Sequence, residues 1–508
     1  MKSRRSRSSH PPLRLLRGKI HAAGTNVDQE AHSRPHPSDT GSRPPVPPAF
    51  HLHQYRSLLT GIVAPAAGLG LVASVLVLAR LPNLVAAAGS FLAIYGAAFA
   101  CYVGGAWAIE RAGGAPRATL GLVLGVALVS RLALLPTLPT LSTDAYRYVW
   151  DARVARAGLS PYAYPPVAPE VSRLRDHEIY PSLNHSTWRT IYPPGAQAFF
   201  RAVYALAPDS VRAMKVGVAL AELAALGLMV LLVNRLGLPT SRVVVYAWNP
   251  LVLVEVWGSA HLDGLVLPAV VGATLAAVTH RPRLVATLLA AGALVKLYPV
   301  LLLPLLLGAA LERKGEGSEP ATRAARVALA TRWTMPAAIF VAILVLGYAP
   351  LAGLGREALG SLPRYVSEEY FNPGLLRSLV DHSALTLGAV LVWAAWATWW
   401  RDGAPLAARA RRLAGGATVL GPNVFPWYAA WVVPFLALAP SPSWIAFTGT
   451  VMLAYTFFLG TPWAIPSWAR AVEFTPVGLA ALGWVWTRRG AKRACPARVS
   501  PPRDFTSS

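Results

Sequence analysis

Apolar runs of membrane-spanning length recur along most of the chain, and polar residues concentrate between them. The runs fall near residues 58–80, 84–106, 118–138, 212–236, 243–258, 263–279, 284–310, 333–353, 382–400, 405–420, 425–439, 443–460 and 470–487. Backbone amides in hydrocarbon must be satisfied within their own segment, so each run is expected to be a helix. The pattern predicts an all-α polytopic membrane protein. It is broken by one long polar interruption, 139–211, and a shorter one, 354–381.

Lys and Arg in the short loops orient the bundle. With the amino terminus inside, Arg111, Arg117, Arg235, Arg242, Arg281 and Arg283 all fall in the cytoplasm, and the third crossing delivers Asp144 outside. A single crossing at 284–310 would then put the basic loop after it, and every later basic cluster, on the wrong side. If Lys296-Leu-Tyr298-Pro299 instead bends this run into two half-helices, those clusters return to the cytoplasm. The expected organisation is a disordered basic tail over 1–55, transmembrane helices over 56–138, an extracytoplasmic loop with interfacial helices over 139–211, a transmembrane core over 212–487 and a basic tail over 488–508. This amounts to about 12 full crossings plus a bent pair.

Composition agrees with the pattern: 54% of the 508 residues are hydrophobic and 14% charged. A net charge of +24 would point to nucleic acid in a soluble chain. Here much of the basic excess lies in the tails and between apolar runs, so no nucleic-acid partner is expected. Two cysteines, Cys101 in an apolar run and Cys495 in the tail, imply no disulfide framework.

The long interruption holds the candidate chemistry. It opens with Ser142-Thr143-Asp144-Ala-Tyr-Arg147-Tyr148-Val-Trp150-Asp151 and continues through Arg153 and Arg156 to Gly158 and Ser160-Pro161, which end the helix and turn the chain. In a helix each residue advances about 100°, so Asp144, Arg147, Tyr148 and Asp151 share one face. Trp188-Arg189-Thr190-Ile-Tyr192-Pro193-Pro194-Gly195 follows, leading into an interfacial helix over 196–204. Asp144 next to Arg147 stays ionised at neutral pH and suits a general base. A bland alternative is that it caps the helix. There is no Asp-any-Asp pair, no phosphate-cradling loop, no Gly-rich dinucleotide fingerprint and no Gly-any-Ser-any-Gly elbow, which argues against a nucleotide donor and against Ser hydrolysis.

An Asp in the first large outer loop, an aromatic-basic helix and a Pro-Pro turn into an interfacial helix resemble the GT-C superfamily of polyprenyl-phosphate-sugar glycosyltransferases, in particular its bacterial mannosyltransferase-like branch. Ser259-Ala-His261-Leu-Asp263-Gly264, Lys296-Leu-Tyr-Pro299 and Phe425-Pro426-Trp427-Tyr428 are similar to later blocks of those proteins. The resemblance implies a multi-pass enzyme of the bacterial cytoplasmic membrane. It would transfer a sugar, mannose first, from a polyprenyl-phosphate carrier to a glycan, glycolipid or protein acceptor at the outer face, with inversion and without a cofactor. The loop aspartate, Asp144, would be the base.

A departing lipid phosphate needs fixed donors, for which Arg147, Arg153, Arg189 and Lys296 are the candidates. Relatives place Lys before the Pro-Pro pair where this chain has Tyr192, which moves the expected phosphate contact to Arg189 or Lys296. Arg153 and Arg156 are equally well read as a solvated or headgroup-facing surface. Tyr148, Asp151, Tyr192, His261, Asp263 and Trp427 are the candidates for binding sugar or acceptor. His261 and Asp263 could instead assist Asp144, and two such ligands are too few for a metal. Trp427, Tyr428 and the Glu368-Glu369-Tyr370 patch would flank the cavity, or simply mark the membrane interface. A transporter or lipid-sugar flippase is the alternative from another class, since bent half-helix pairs occur there too.

Overall fold

The structure, a computed structural model, describes residues 58–112, 117–312, 323–400 and 402–493. The tail expected over 1–55, and residues 494–508 of the one expected at the other end, lie outside these. Among the described residues every regular element is a helix, apart from an isolated bridge between Pro373 and Asn423. Six helices among them are long and apolar enough to cross a membrane, by length and composition.

The chain runs up and down between two ends. Helices α1 (Leu59–Arg80), α2 (Ala88–Ala112) and α3 (Arg117–Leu134) lead to the long loop, which carries α4 (Asp144–Arg156) and α5 (Pro194–Leu206). Helix α3 stops short of the expected residue 138. Helix α6 (Val211–Arg235) returns, its first turn capped by the Ser210 hydroxyl accepting from Ala213 N–H. The next pass, α7 (residues 240–258), is not the single helix expected. It breaks at Asn249–Pro250, where Pro250 has no N–H to donate and the Asn249 side chain accepts from Leu251 N instead. Its last turn, Leu253–Gly258, is a π-helix.

Helices α8 (Asp263–Val278), α9 (Pro282–Ala293) and α10 (Tyr298–Leu311) follow. His280 Nδ1 lies 3.4 Å from the Ala310 carbonyl at one end, and Lys296 Nζ lies 2.5 Å from Asp263 Oδ2 at the other. Residues 282–311 are therefore a hairpin with its tip at 294–297, reaching back to the start of α8. Helix α11 (Arg323–Tyr348) climbs to a second loop containing α12 (Leu362–Glu368), and α13 (Ser383–Trp399) descends. Helices α14 (Leu406–Leu420) and α15 (Pro426–Leu438) form another hairpin, closed at its base by Arg411 donating to the carbonyls of Ala439 and Pro440. Helices α16 (Pro442–Leu459) and α17 (Ser467–Arg493) complete the described chain.

Shape complementarity locks the first three helices to α7. Trp248 is fully buried, its indole donates to the Val123 carbonyl, and its ring fills the space a side chain would need at Gly68 and Gly105. A Cβ on Gly105 would stand 2.4 Å from that ring. Deeper still, Arg131 of α3 and Glu222 of α6 form a fully buried bidentate pair, 2.7 and 2.9 Å. Trp257 Nε1 donates to the same carboxylate, and Arg131 also donates to the Ala247 carbonyl.

The two loops meet at one end of the bundle. Ser361 N donates to the Thr190 carbonyl, and neighbouring Gly360, at φ +54°, approaches that oxygen so closely that a Cβ would lie 1.9 Å from it. Only glycine serves both demands. Gly195 and Ala196 at the start of α5 donate to the Leu294 carbonyl, so the hairpin tip is tied to the same loop end.

Candidate active site

A cavity of about 900 Å³ opens where the two loops, the 294–297 tip and the 421–428 turn converge. Asp144, Arg147, Tyr148, Arg189, Tyr192, Lys296 and Trp427 all line it. The structure thus brings together most of the residues singled out from the sequence.

Asp144 is the first residue of α4. It does not cap that helix, because its Oδ1 accepts from Asn184 Nδ2 at 2.8 Å and Thr143, at the capping position, makes no side-chain cap bond. The side chain remains 20% exposed, on the cavity wall. One turn on, Arg147 donates through Nε to Asp151 Oδ1 and through Nη2 to the Trp188 carbonyl, which leaves Nη1 uncommitted on a residue that lines the cavity. Burial, reinforced by the Asp144 charge, pushes the phenols of Tyr148 and Tyr192 well above their ordinary values, so both stay protonated.

Lys296 sits at the hairpin tip, 18% exposed, bonded to the fully buried Asp263 and 4.9 Å from the ring of Tyr428. Arg189 reaches Glu357 at 3.0 Å, across the rim from one loop to the other. Glu369, also on the cavity wall, is 3.0 Å from His185. Burial opposes its ionisation, but the His185 contact and the N–H groups of Phe371 and Tyr370 prevail and hold its carboxyl below the usual range. Its contribution to stability is present at neutral pH and is lost as pH falls through that lowered value.

Four of the expected residues lie off the cavity wall. Arg153 does not reach the cavity: it binds Asp176, Asp209 and the Leu174 carbonyl on the far side of α4. Asp151 is buried behind Arg147, where it accepts from the guanidinium and from Gln197 Nε2. His261 and Asp263 occupy a turn that is covered rather than open, at 1% and 0% exposure. His261 stacks on Trp427 at 3.8 Å and points Nδ1 at Glu255, while Asp263 serves Lys296. Among the described residues no three His, Cys, Asp or Glu side chains gather as metal ligands. Asn184 and Glu255 were not singled out from the sequence. Asn184 carries no signal of its own, whereas Glu255 is an acid inside an apolar run, which is a signal.

The reassignment of Arg153 can be tested. Its guanidinium helps to pull the Asp176 carboxyl from 3.8 down to about 2, against burial, which works the other way, and with help from two backbone N–H groups. A lowered carboxyl stabilises the fold above its unfolded value, and the gain is lost as pH falls from about 4 to about 2. Arg153→Gln should therefore shift acid unfolding, followed by tryptophan fluorescence, to higher pH and leave the KM for donor unchanged. A large rise in KM would return Arg153 to the binding site.

An all-helical bundle that gathers a carboxylate, several cations and aromatic faces in one cavity at its loop end is built as a membrane-embedded transferase. The chain matches the MptA_B family, described as alpha-(1->6)-mannopyranosyltransferase, N-terminal domain, over residues 55–312. This is just over half of the chain, and the chain belongs to that GT-C-type family. It is accordingly a glycosyltransferase, and the mannosyl group is what its family transfers. A search of curated proteins found no match.

Proposed function

We propose that this enzyme moves a mannosyl residue from a polyprenyl-phosphate carrier into an α-(1→6) linkage on a glycan, glycolipid or protein acceptor. The reaction would take place at the outer face of a bacterial cytoplasmic membrane, with inversion at the anomeric carbon. The observation that carries this reading is Asp144: one carboxylate, steadied by Asn184, on the wall of a cavity that also presents Arg147, Arg189 and Lys296. Asp144 takes the proton of the acceptor hydroxyl as that oxygen bonds to the anomeric carbon. The bond to the phosphate breaks on the opposite side, and the electron pair leaves with the lipid phosphate. Lys296 is the best placed to hold that charge, because Asp263 accepts from its ammonium and fixes it in place while the residue stays on the cavity wall.

Orientation is supported by charge. Arg111, Arg235, Arg242, Arg281 and Arg283 lie at or next to helix ends remote from the cavity, which supports a cytoplasmic assignment for that end. Trp427 and Tyr428 add aromatic side chains to the same cavity wall.

The test is the purified protein in lipid nanodiscs, offered a synthetic polyprenyl β-mannosyl phosphate or a nucleotide-mannose. Product from the lipid donor alone, with an α linkage by NMR, is the expected result. Turnover of the nucleotide donor, or retention of the donor anomer, would overturn the reading. Lys296→Met should raise the KM for the lipid donor by about 10- to 100-fold, the worth of one charged hydrogen bond. An unchanged KM would remove the lysine from the phosphate site.

A further inference from the structure

Behind Asp144 lies a buried polar file of His261, Glu255 and Tyr455, the last of which also borders the cavity. His261 Nε2 is 4.0 Å from Asp144 Oδ2, is buried, and has no hydrogen-bond partner among the described residues. On the other side of the ring, Nδ1 lies 2.9 Å from Glu255 Oε2 and 3.0 Å from the Glu255 carbonyl. Both neighbours of Nδ1 are oxygens, so the ring proton belongs there, and the Nε2 lone pair faces the aspartate. Glu255 in turn accepts from the Tyr455 hydroxyl at 3.0 and 3.2 Å. The imidazole cannot turn away, because its face is stacked on Trp427 with the ring centroids 3.8 Å apart.

A ring-nitrogen lone pair facing a carboxylate oxygen at 4.0 Å is an unfavourable ground state for the buried imidazole. One added proton makes it favourable, because Asp144 Oδ2–H can then donate to Nε2 after an approach of about 1 Å. That proton is the one the acceptor hydroxyl releases. We propose that His261, held by Glu255, is a positioning residue that receives the transferred proton from Asp144, an inference that rests on Asp144 being the base of the transferase proposed above. The acceptor O–H bond breaks and the proton goes to Asp144 Oδ2, and from there to His261 Nε2. The resulting imidazolium is neutralised by Glu255, and it returns the proton to water once the products leave.

The arrangement gives a task to Glu255 and His261, a buried acid and histidine at a place where an ionisable group without one is costly. The groups that bear on the imidazole are Asp144 from α4, Glu255 on the preceding turn, Tyr455 and Tyr95 around Glu255, and Asp263 with Lys296 on the next helix and hairpin tip. Of these, only Asp144 and Glu255 lie within ion-pair distance of the ring.

The test measures kcat, KM and the pH dependence of transfer for His261→Gln and Glu255→Gln in nanodiscs, with Asp144→Asn alongside. Glutamine at 261 keeps much of the volume but cannot take up a proton. We expect kcat to fall about 10²-fold with KM nearly unchanged, and the acidic limb of the profile to move to lower pH. Glu255→Gln should lose about 10-fold and move the limb the same way, since the imidazolium loses its neutralising partner. A residue that merely packs would lower activity, if at all, without moving the limb. If His261→Gln is not recovered folded, Tyr455→Phe, which leaves both acids and the ring stack in place, is read by the same limb. An unmoved limb in the folded variants overturns the proton-receiving role, while an inactive Asp144→Asn leaves the base intact. Full activity in Asp144→Asn overturns the base itself, and the relay with it.

Discussion

Replacing Asp144 with asparagine is expected to reduce mannosyl transfer by about 10³- to 10⁴-fold while leaving the KM for the lipid donor nearly unchanged. The substitution is almost isosteric. The asparagine oxygen can still accept from Asn184, whose amide stands 2.8 Å from Asp144 Oδ1, so the start of α4 need not move. What is lost is the capacity to take a proton, and with it roughly 4 to 5.5 kcal/mol of transition-state stabilisation. Donor binding should not suffer, because a carboxylate next to an anionic phosphate is no aid to affinity. Asp144→Glu is a sharper probe. It keeps the charge but displaces the oxygens by about 1 Å, enough to cost about 10²-fold where geometry matters. Initial rates with saturating lipid donor, on protein that elutes as a single peak in detergent, decide the matter. A variant with asparagine at 144 that works at the parent rate would remove the assigned base.

Hydropathy made the bundle legible because the bilayer imposes a length and a polarity on every pass. The two-armed hairpin at 282–311 was legible for a different reason: only a return at Lys296 keeps the later basic loops on one side. The core of the site was readable from helical spacing, since Arg147 and Tyr148 follow Asp144 by three and four positions and all three line the cavity. The same arithmetic, carried further, would have corrected Arg153. Nine residues at about 100° each place it half a turn away from Asp144, on the face where it meets Asp176 and Asp209.

Other features were beyond local reading. Asn184 meets Asp144 across 40 positions, and Tyr455 meets Glu255 across 200. No periodicity reports contacts of that range. The covered state of His261 and Asp263 depends on Trp427 and Lys296 arriving from later hairpins, so a turn that reads as open in sequence is closed in the fold. Arg131, Glu222 and Glu255 did carry a signal, as ionisable residues inside apolar runs. Such residues are tolerated only when paired or employed. Arg131 and Glu222 bind each other, and Glu255 stands behind His261.

The Arg131–Glu222 pair carries the largest expected effect on stability. Removing one partner leaves the other charge buried without compensation, so Arg131→Met and Glu222→Gln should each destabilise the protein, the first by about 3–5 kcal/mol. Glu222→Gln should be milder, because the amide oxygen can still accept from Trp257 Nε1, which lies 2.8 Å from Oε2. The double replacement Arg131→Met with Glu222→Leu removes both charges, and in many proteins an apolar pair of similar volume would be neutral. Full recovery is not expected here. The Ala247 carbonyl and the Trp257 indole N–H would lose their partners in a dry interior, and leaving such groups unmade costs about 1–3 kcal/mol. The expected order of stability is therefore parent, then double variant, then Arg131→Met, measured by unfolding in mixed micelles of increasing SDS fraction. Both sites lie outside the cavity lining, so folded protein of any of these variants should retain its donor KM. An Arg131→Met protein as stable as the parent would show that the pair contributes nothing to holding α3 against α6.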